Sequence, residues 1–149
     1  MFQQIGLAGP IFKKLKGGKN MYSPYITYNE YVELGGNTLT AENADKVLKK
    51  VSRQVDILTY GRINEIGWNN LTDFQRDIIG EFIVNVADFV YENEDLLNNI
   101  LSSYSINGVS MDFSGNWNLT IKDGVAVKTE DYKLLEMTGL TYQGFWYRR

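Results

Sequence analysis

Apolar side chains recur every three to four residues over much of the first hundred positions, which predicts amphipathic helices. The strongest pattern follows Thr72 and Gln75, whose spacing predicts a capping box. Its apolar positions are Phe74, Ile78, Ile79, Phe82, Ile83, Val86, Phe89 and Val90. This broad stripe predicts a central helix that is buried on more than one side. The helix either continues through Leu101 or breaks at Glu92-Asn93-Glu94.

A short helix is predicted ahead of the central one. Thr27 is a favoured N-cap residue, and Glu30 three positions later completes a second capping box. The helix should run from Tyr28 to Leu34. Gly35-Gly36 should end it, because glycine readily adopts the left-handed conformation found after helices.

A second helix should follow Thr40, which is a suitable N-cap. Lysine and arginine occupy its outer faces, and it should last to about Tyr60 or Ile66, with Gly61 and Gly67 as candidate ends. Its apolar positions are Ala44, Val47, Leu48, Val51, Val55 and Leu58. They form a single stripe, which predicts a helix with one buried side.

The apolar period changes from 3.6 to 2 after Leu101, which is typical of strands. Residues 103–128 predict one or two β-hairpins, with Asn107-Gly108 and Asp123-Gly124 as turns, because both dipeptides tolerate positive φ. A last helix capped by Thr129 should end at Gly139. The predicted fold class is mainly α: a small bundle of about four helices, an inserted β-hairpin region at 103–128, and extended N- and C-terminal arms.

Charge divides the chain into unequal parts. Residues 1–20 carry four lysines and no acid, whereas the other 129 residues carry 11 basic and 18 acidic side chains. We therefore predict an N-terminal basic arm over 1–21, a domain over 22–139 and an aromatic tail over 140–149. Gly17-Gly18-Lys19-Asn20 is predicted to be a flexible joint. The acidic body should not bind nucleic acid generally, because phosphate contacts need clustered cations.

The composition argues against an enzyme. The chain has no cysteine and no histidine, so it has no thiol nucleophile, no zinc–thiolate site and no Ser-His-Asp triad. No catalytic residue, metal or cofactor is predicted. The acids Asp73, Asp77, Glu81 and Asp88 suggest a metal site on the central helix only weakly, and a solvated face is the preferred interpretation. An enzyme that uses carboxylates stays as an alternative; it requires a concave acidic pocket.

Aromatic residues are concentrated near both ends of the body. Tyr22, Tyr25, Tyr28 and Tyr31 form one cluster, for which core packing and a contact surface are equally open interpretations. Phe145, Trp146 and Tyr147 form the other, and here an interface is favoured, because a free segment of this kind would be adhesive. No apolar run approaches the roughly 18 residues of a membrane helix, so no membrane partner is predicted.

Several motifs, in order, resemble those of tailed-phage head–tail connector proteins, also called adaptors or head-completion proteins. The motifs are Tyr25-Ile26-Thr27-Tyr28 with Glu30-Tyr31 and Leu34-Gly35-Gly36, Val51-Ser52-Arg53-Gln54-Val55-Asp56 with Thr59, Leu71-Thr72-Asp73-Phe74-Gln75, Ser105-Ile106-Asn107-Gly108-Val109-Ser110, and Leu134-Leu135-Glu136-Met137-Thr138-Gly139-Leu140-Thr141-Tyr142-Gln143-Gly144. The resemblance covers about residues 25–144 and leaves residues 1–21 outside it.

The resemblance implies a structural virion protein with a helical fold, made in the bacterial host cytoplasm. Such proteins form a ring, usually of twelve copies, beneath the portal protein at the capsid vertex. The other side of the ring receives a stopper or tail-completion protein, and DNA passes through the lumen without sequence-specific binding. The acidic body suits this conduit, because like charge keeps the duplex from adhering to the wall.

Three sets of contacts follow as hypotheses. The tail would bind the portal, by strand addition in one version, through Leu140, Tyr142, Phe145, Trp146, Tyr147, Arg148 and Arg149. The hairpin would contact a neighbouring copy or the tail-side protein through Ile106, Asn107, Gly108, Met111 and Phe113. The arm would make contacts through Phe12, Lys13, Lys14 and Lys16. The alternative function is a small helical DNA-binding or regulatory module that uses the basic arm or the second helix.

Overall fold

The computed structural model describes residues 13–14, 20–103, 109–113 and 117–143. These residues form six helices and two small antiparallel sheets. The predicted class, a mainly helical fold with an inserted β region, is confirmed. The helices are α1 Tyr28–Glu33, α2 Ala44–Leu58, α3 Arg62–Ile66, α4 Asp73–Glu92, α5 Glu94–Ser103 and α6 Thr129–Glu136, and Trp68–Asn70 form a 3-10 turn.

Local sequence signals account for most helix boundaries. Both capping boxes are present: the side chains of Thr27 and Thr72 accept from the N–H groups of Glu30 and Gln75, whose side chains accept in return. The predicted second helix is divided at Gly61, where φ is +71°, into α2 and α3. The central helix likewise breaks before α5. The predicted bundle of four therefore appears as six helices in the described part of the chain.

Two predicted caps are wrong by a few residues. The helix expected directly after Thr40 begins at Ala44, because residues 41–43 form a separate turn in which the Thr40 carbonyl accepts from Asn43 and Ala44. Thr129 is the first residue of α6 rather than its cap. Its hydroxyl is engaged instead with β4, where it contacts Thr120 at 2.9 Å and Asn118 at 3.2 Å.

The strands form two separate sheets. The first pairs β1 (Lys13–Lys14) with β2 (Asn20–Met21). The second has the order β3-β4-β5, from β3 (Val109–Phe113), β4 (Trp117–Lys122) and β5 (Val125–Lys128). The predicted Asp123-Gly124 turn joins β4 to β5, with φ of +52° and +81° as a tight hairpin requires. The predicted Asn107-Gly108 turn lies outside the described residues.

Helix α4 is the centre of the fold, as its broad apolar stripe predicts. Helix α2 packs on one part of its surface and α6 on another, and α6 also covers β4 and β5. Side chains from all of these elements form one apolar core. The buried residues of α4 are Ile78, Ile79, Gly80, Phe82, Ile83, Val84, Val86, Ala87, Phe89 and Val90.

Helix α6 runs antiparallel to α4. Near its start, Asp131 accepts a hydrogen bond from Asn85 at 3.2 Å, and just beyond its end the Thr138 carbonyl accepts from Gln75 at 3.0 Å. The chain after α6 therefore arrives at the N-terminal end of α4. None of the described helices combines the length and apolar character that a membrane-crossing helix requires.

Candidate interaction site at the C-terminal segment

Residues 140–143, here called the C-terminal segment, are fastened to the body by Arg62. The guanidinium donates from Nη1 to the carbonyl oxygens of Leu140 and Tyr142, each at 2.7 Å. These bonds are charge-assisted and are stronger than hydrogen bonds between neutral groups. Since Arg62 begins α3, the corner between α2 and α3 determines where the segment lies.

That corner has an uncommon backbone. Tyr60 has a φ of +58°, which few residues other than glycine adopt, and Gly61 follows with +71°. Two consecutive left-handed residues end α2 and redirect the chain into α3. They also place the ring of Tyr60 beside two cations, the Arg62 guanidinium at 5.0 Å and the Lys122 ammonium at 5.8 Å from the ring centre. Both distances lie within the range of a cation–π contact.

An open groove of about 680 Å³ lies beside the C-terminal segment. Its walls come from β4, α6 and the segment itself. One cation, one carboxylate and two tyrosine rings line it, and tyrosine rings of this kind are common at protein interfaces. The lining residues are Thr120, Lys122, Tyr132, Glu136, Gly139, Thr141, Tyr142 and Gln143.

Lys122 joins β4 to the C-terminal segment across the groove. Its ammonium donates to Gln143 Oε1 at 2.7 Å. Burial acts to lower the pKa of Lys122, but a hydrogen bond with Tyr60 and the neighbouring Tyr132 and Asp123 outweigh it, so the pKa is raised. Burial raises the pKa of the Tyr132 hydroxyl, although the Lys122 charge opposes it. Lys122 therefore stays a cation, and Tyr132 stays neutral, at physiological pH.

The structure separates the two described tail residues that were proposed to bind the portal. Leu140 is 1% exposed and belongs to the core, so it stabilises the body and offers no surface to a portal protein. Tyr142 is 56% exposed and forms part of the groove wall. The other tail residues proposed for portal binding lie outside the described residues: Phe145, Trp146, Tyr147, Arg148 and Arg149.

The hairpin and arm residues are placed only by backbone register. Met111 pairs with Leu119 and Phe113 with Trp117 in the β3–β4 ladder. Lys13 pairs with Met21 and Lys14 with Asn20, so the predicted joint at 17–20 ends in a strand at Asn20. Ile106, Asn107, Gly108, Phe12 and Lys16 lie outside the described residues.

The N-terminal tyrosine cluster belongs mainly to the core. Tyr22, Tyr25 and Tyr31 are at most 9% exposed. The Tyr22 and Tyr25 hydroxyls both donate to the Asp56 carboxylate, at 3.0 and 2.5 Å, and the Tyr25 ring stacks on Trp68 with centres 5.0 Å apart. Burial raises the pKa of both tyrosines. It also raises the pKa of Asp56, although the hydrogen bonds from the two tyrosines and the charge of Arg53 act to lower it.

Tyr31 organises the connection between α1 and α2. Its hydroxyl donates to Asp88 on α4 and accepts from the N–H groups of Thr38 and Leu39, at 2.9 and 3.0 Å. Of the four acids that weakly suggested a metal site on α4, Asp88 therefore serves the core. Within the described ranges, no group of three or more acidic side chains is close enough to hold a metal ion.

The cationic face of α2, formed by Lys46, Lys49, Lys50 and Arg53, is the second candidate surface. Ion pairs occupy most of it: Lys49 with Asp45 at 3.5 Å and Lys50 with Glu94 at 3.8 Å. The Arg53 guanidinium lies 3.6 Å from the centre of the Tyr22 ring and 3.8 Å from Asp56. The neighbouring carboxylates therefore reduce the net positive charge that this face offers to a phosphate backbone.

Sequence reasoning missed the residues that create the groove. Arg62 and Lys122 carry no motif, and their partners in the C-terminal segment lie 78 and 21 positions away. The one available signal was the Tyr60-Gly61 pair, which marks a helix end but not the segment that docks there. No family model matches the sequence, and neither a curated protein nor a solved structure matches it.

Proposed function

We propose that the protein is a head–tail connector (adaptor) of a tailed phage, a structural virion protein and not an enzyme. In this proposal copies form a ring beneath the portal protein, receive the stopper or tail-completion protein on the other side, and surround the DNA channel. The observation that carries the proposal is the fastening of the C-terminal segment by Arg62 and Lys122. These bonds determine where on the body the C-terminal segment ends at Gln143.

The sequence that follows Gln143 has the composition of a docking segment. Phe145, Trp146 and Tyr147 supply large rings, and Arg148 and Arg149 supply guanidinium groups, the residue types that anchor protein interfaces. A fixed point of departure reduces the orientational entropy that docking costs. We assign portal docking to these five residues, because Leu140 is buried and Tyr142 belongs to the groove.

The rest of the body suits a ring subunit that surrounds DNA. It is a small helical core with a three-stranded sheet on one side. Residues 21–149 carry an excess of acidic side chains, which disfavours adhesion of the duplex to the channel wall. The DNA-binding alternative has less support, because the carboxylates of Asp45, Glu94 and Asp56 lie beside the cations on α2 and reduce the net positive charge of that face.

The decisive experiment co-expresses the full chain with the portal protein encoded by the same genome and measures the mass of the complex. We expect one copy of this chain per portal subunit. A variant in which residues 144–149 are replaced by six Gly and Ser residues should lose the complex and keep its melting temperature. This replacement spares Thr141 and the Tyr142 carbonyl, which a deletion of residues 141–149 would remove from the body.

Two outcomes would contradict the proposal in different ways. If the full chain does not join the portal but shifts duplex DNA at low salt, with an affinity that falls steeply as salt rises, the DNA-binding alternative replaces it. If the Gly/Ser variant joins the portal as well as the full chain does, the connector role stands but the docking segment lies elsewhere.

A further inference from the structure

The junction between α4 and α5 is an exposed corner that combines acidic and apolar side chains. Tyr91 and Leu96 are each 43% exposed, which is high for side chains of their size. Glu92, Glu94 and Asp95 are exposed beside them. We call residues 91–96 the acidic corner.

The contacts that the acidic corner makes within the chain are weak. Lys50 approaches Glu94 at 3.8 Å, with both side chains about half exposed, and Thr38 donates to Glu92 at 3.3 Å. The Tyr91 hydroxyl accepts from Asn43 at 3.1 Å. Contacts of this kind between exposed groups contribute at most about 1 kcal/mol each, so they do not prevent the corner from meeting another surface.

The groove beside the C-terminal segment has the complementary character. Within the lining, Tyr142 exposes 56% of its surface and Lys122 supplies the cation. Beside the groove, Arg62 and Lys122 flank the Tyr60 ring, which is 37% exposed, so a second positive charge and a second ring lie at its edge. Glu136 is the one carboxylate in the groove lining. The acidic corner, with an aromatic and an aliphatic side chain, is complementary in charge to the cations of Lys122 and Arg62 at the wall and the edge of this groove.

The two surfaces lie at opposite ends of α4. Gln75, in the first turn, holds Thr138 next to the groove, whereas Tyr91 is in the last turn. Sixteen residues at about 1.5 Å each separate these positions by about 24 Å. One copy therefore cannot place its own corner in its own groove, and a contact between them joins different copies.

We propose that the acidic corner of one copy docks in the groove of the next copy. This inference rests on the proposed function, because it supplies the contact between neighbours in the ring. A contact between two different surfaces of identical chains is heterologous, and repeating it produces a closed ring if the rotation closes. The occupant of the groove is thus a second copy of this chain, chosen for its complementary charge and its position at the far end of α4.

Paired cysteines test the contact directly, since the chain has no cysteine of its own. Leu96→Cys and Tyr142→Cys are introduced on separate chains, mixed, assembled with the portal protein and oxidised. We expect disulfide-linked heterodimers, and a ladder of multimers when one chain carries both substitutions. The matched control pairs Leu96→Cys with Val32→Cys, a comparably exposed site on α1, and should give no ladder.

A charge exchange tests the electrostatic part. Asp95→Lys and Lys122→Glu should each lower the rate of cross-linking by roughly fivefold to tenfold at low salt, and the combination should recover most of the loss. Glu33→Lys, which reverses an exposed charge on α1, should have no effect. The rate should also fall in 1 M salt, where the Debye length is about 3 Å.

The outcomes separate this inference from the connector proposal. If the chain joins the portal but the Leu96–Tyr142 pair gives no more cross-link than the control pair, the corner-to-groove contact is wrong and the connector proposal survives. If the chain does not join the portal, cross-linking is measured on the chain alone at about 1 mM. A ladder there supports the contact without a connector role, and its absence overturns the contact.

Discussion

The hydroxyl of Tyr25 donates to Asp56 Oδ1 at 2.5 Å, and this bond joins the segment before α1 to the last turn of α2. Tyr22 donates to the other oxygen of the same carboxylate at 3.0 Å. Asp56 thus accepts from two buried phenols and fixes the start of the body.

Replacing Asp56 tests this arrangement. Asp56→Ala leaves two buried hydroxyls without their acceptor, and an unsatisfied buried polar group costs about 1–3 kcal/mol. We expect a loss of stability in that range by urea denaturation, and a smaller loss for Asp56→Asn, which keeps one acceptor oxygen. Asp45→Ala removes only an exposed ion pair with Lys49 and should change stability by less than about 1 kcal/mol. Equal effects of Asp56→Ala and Asp45→Ala would contradict this account.

Arg62→Ala should release the C-terminal segment. It removes two charge-assisted bonds to backbone carbonyls, so we expect a loss of about 1–3 kcal/mol together with faster hydrogen exchange at the amides of 140–143. Lys133→Ala, on the exposed side of α6, is the control and should leave the exchange unchanged. Arg62→Lys should give an intermediate result, because one ammonium cannot reproduce the planar fork. Unchanged exchange in Arg62→Ala would show that the segment is held by other contacts.

Gly36→Ala and Gly80→Ala should have different effects on the stability of the protein. A Cβ at Gly36 would lie 2.2 Å from the Tyr31 ring, whose hydroxyl is held by three partners, so Gly36→Ala should destabilise the protein by about 1–3 kcal/mol or more. At Gly80 the nearest atom is the flexible end of Leu34 at 3.3 Å. Gly80→Ala gains up to about 1 kcal/mol of helix propensity and should be neutral or stabilising. Thermal melting of both variants checks this contrast, which similar losses would refute.

The buried carboxyl of Asp131 predicts a dependence of stability on pH. Burial raises its pKa, and Glu130 and Glu81 add to the effect, although Asn85 and Lys128 oppose it. Between the ordinary value of about 3.9 and the raised native value, the folded state binds more protons than the unfolded state. Stability contributed by this group therefore falls as pH rises through that window. The Asp131→Asn variant should therefore be more stable than the native chain at pH 7.

The gain in melting temperature from Asp131→Asn should shrink as pH falls below about 4, where Asp131 is protonated in both states. Asp95→Asn, which removes an exposed charge on α5, is the control for the change in net charge. A gain from Asp131→Asn that is the same at pH 7 and pH 4 would contradict the assignment.

Local signals explain why much of the fold could be predicted from the sequence. Thr27 with Glu30, and Thr72 with Gln75, encode a helix start within four residues, and both starts are correct. The positive φ values at Asp123 and Gly124 follow from the residue types. The predicted cap at Thr40 is wrong because residues 41–43 form a turn of their own before α2. The predicted cap at Thr129 is wrong because its hydroxyl bonds Thr120 and Asn118 of β4, which a local pattern does not record.

The groove could not be predicted from the sequence, because the residues that form it lie far apart along the chain. Arg62 meets Leu140 only after α3, α4 and α6 have been positioned, and 78 residues separate them. The sequence does not decide between core and surface for the tyrosine cluster, because Asp56 lies 31 residues beyond Tyr25. Side-chain chemistry singled out the tyrosines but not Arg62, and only the packing of the folded chain assigns their partners.

The distance in sequence between Arg62 and Leu140 also orders events during translation. At about 5–20 residues per second, the ribosome adds Leu140 roughly 4 to 16 s after Arg62. In that interval α4 and its partners can form, but the wall of the groove contributed by the C-terminal segment does not yet exist. A nascent chain therefore displays its acidic corner before its own groove is complete. Two chains that are still growing on one messenger therefore cannot yet form the proposed corner-to-groove contact with each other.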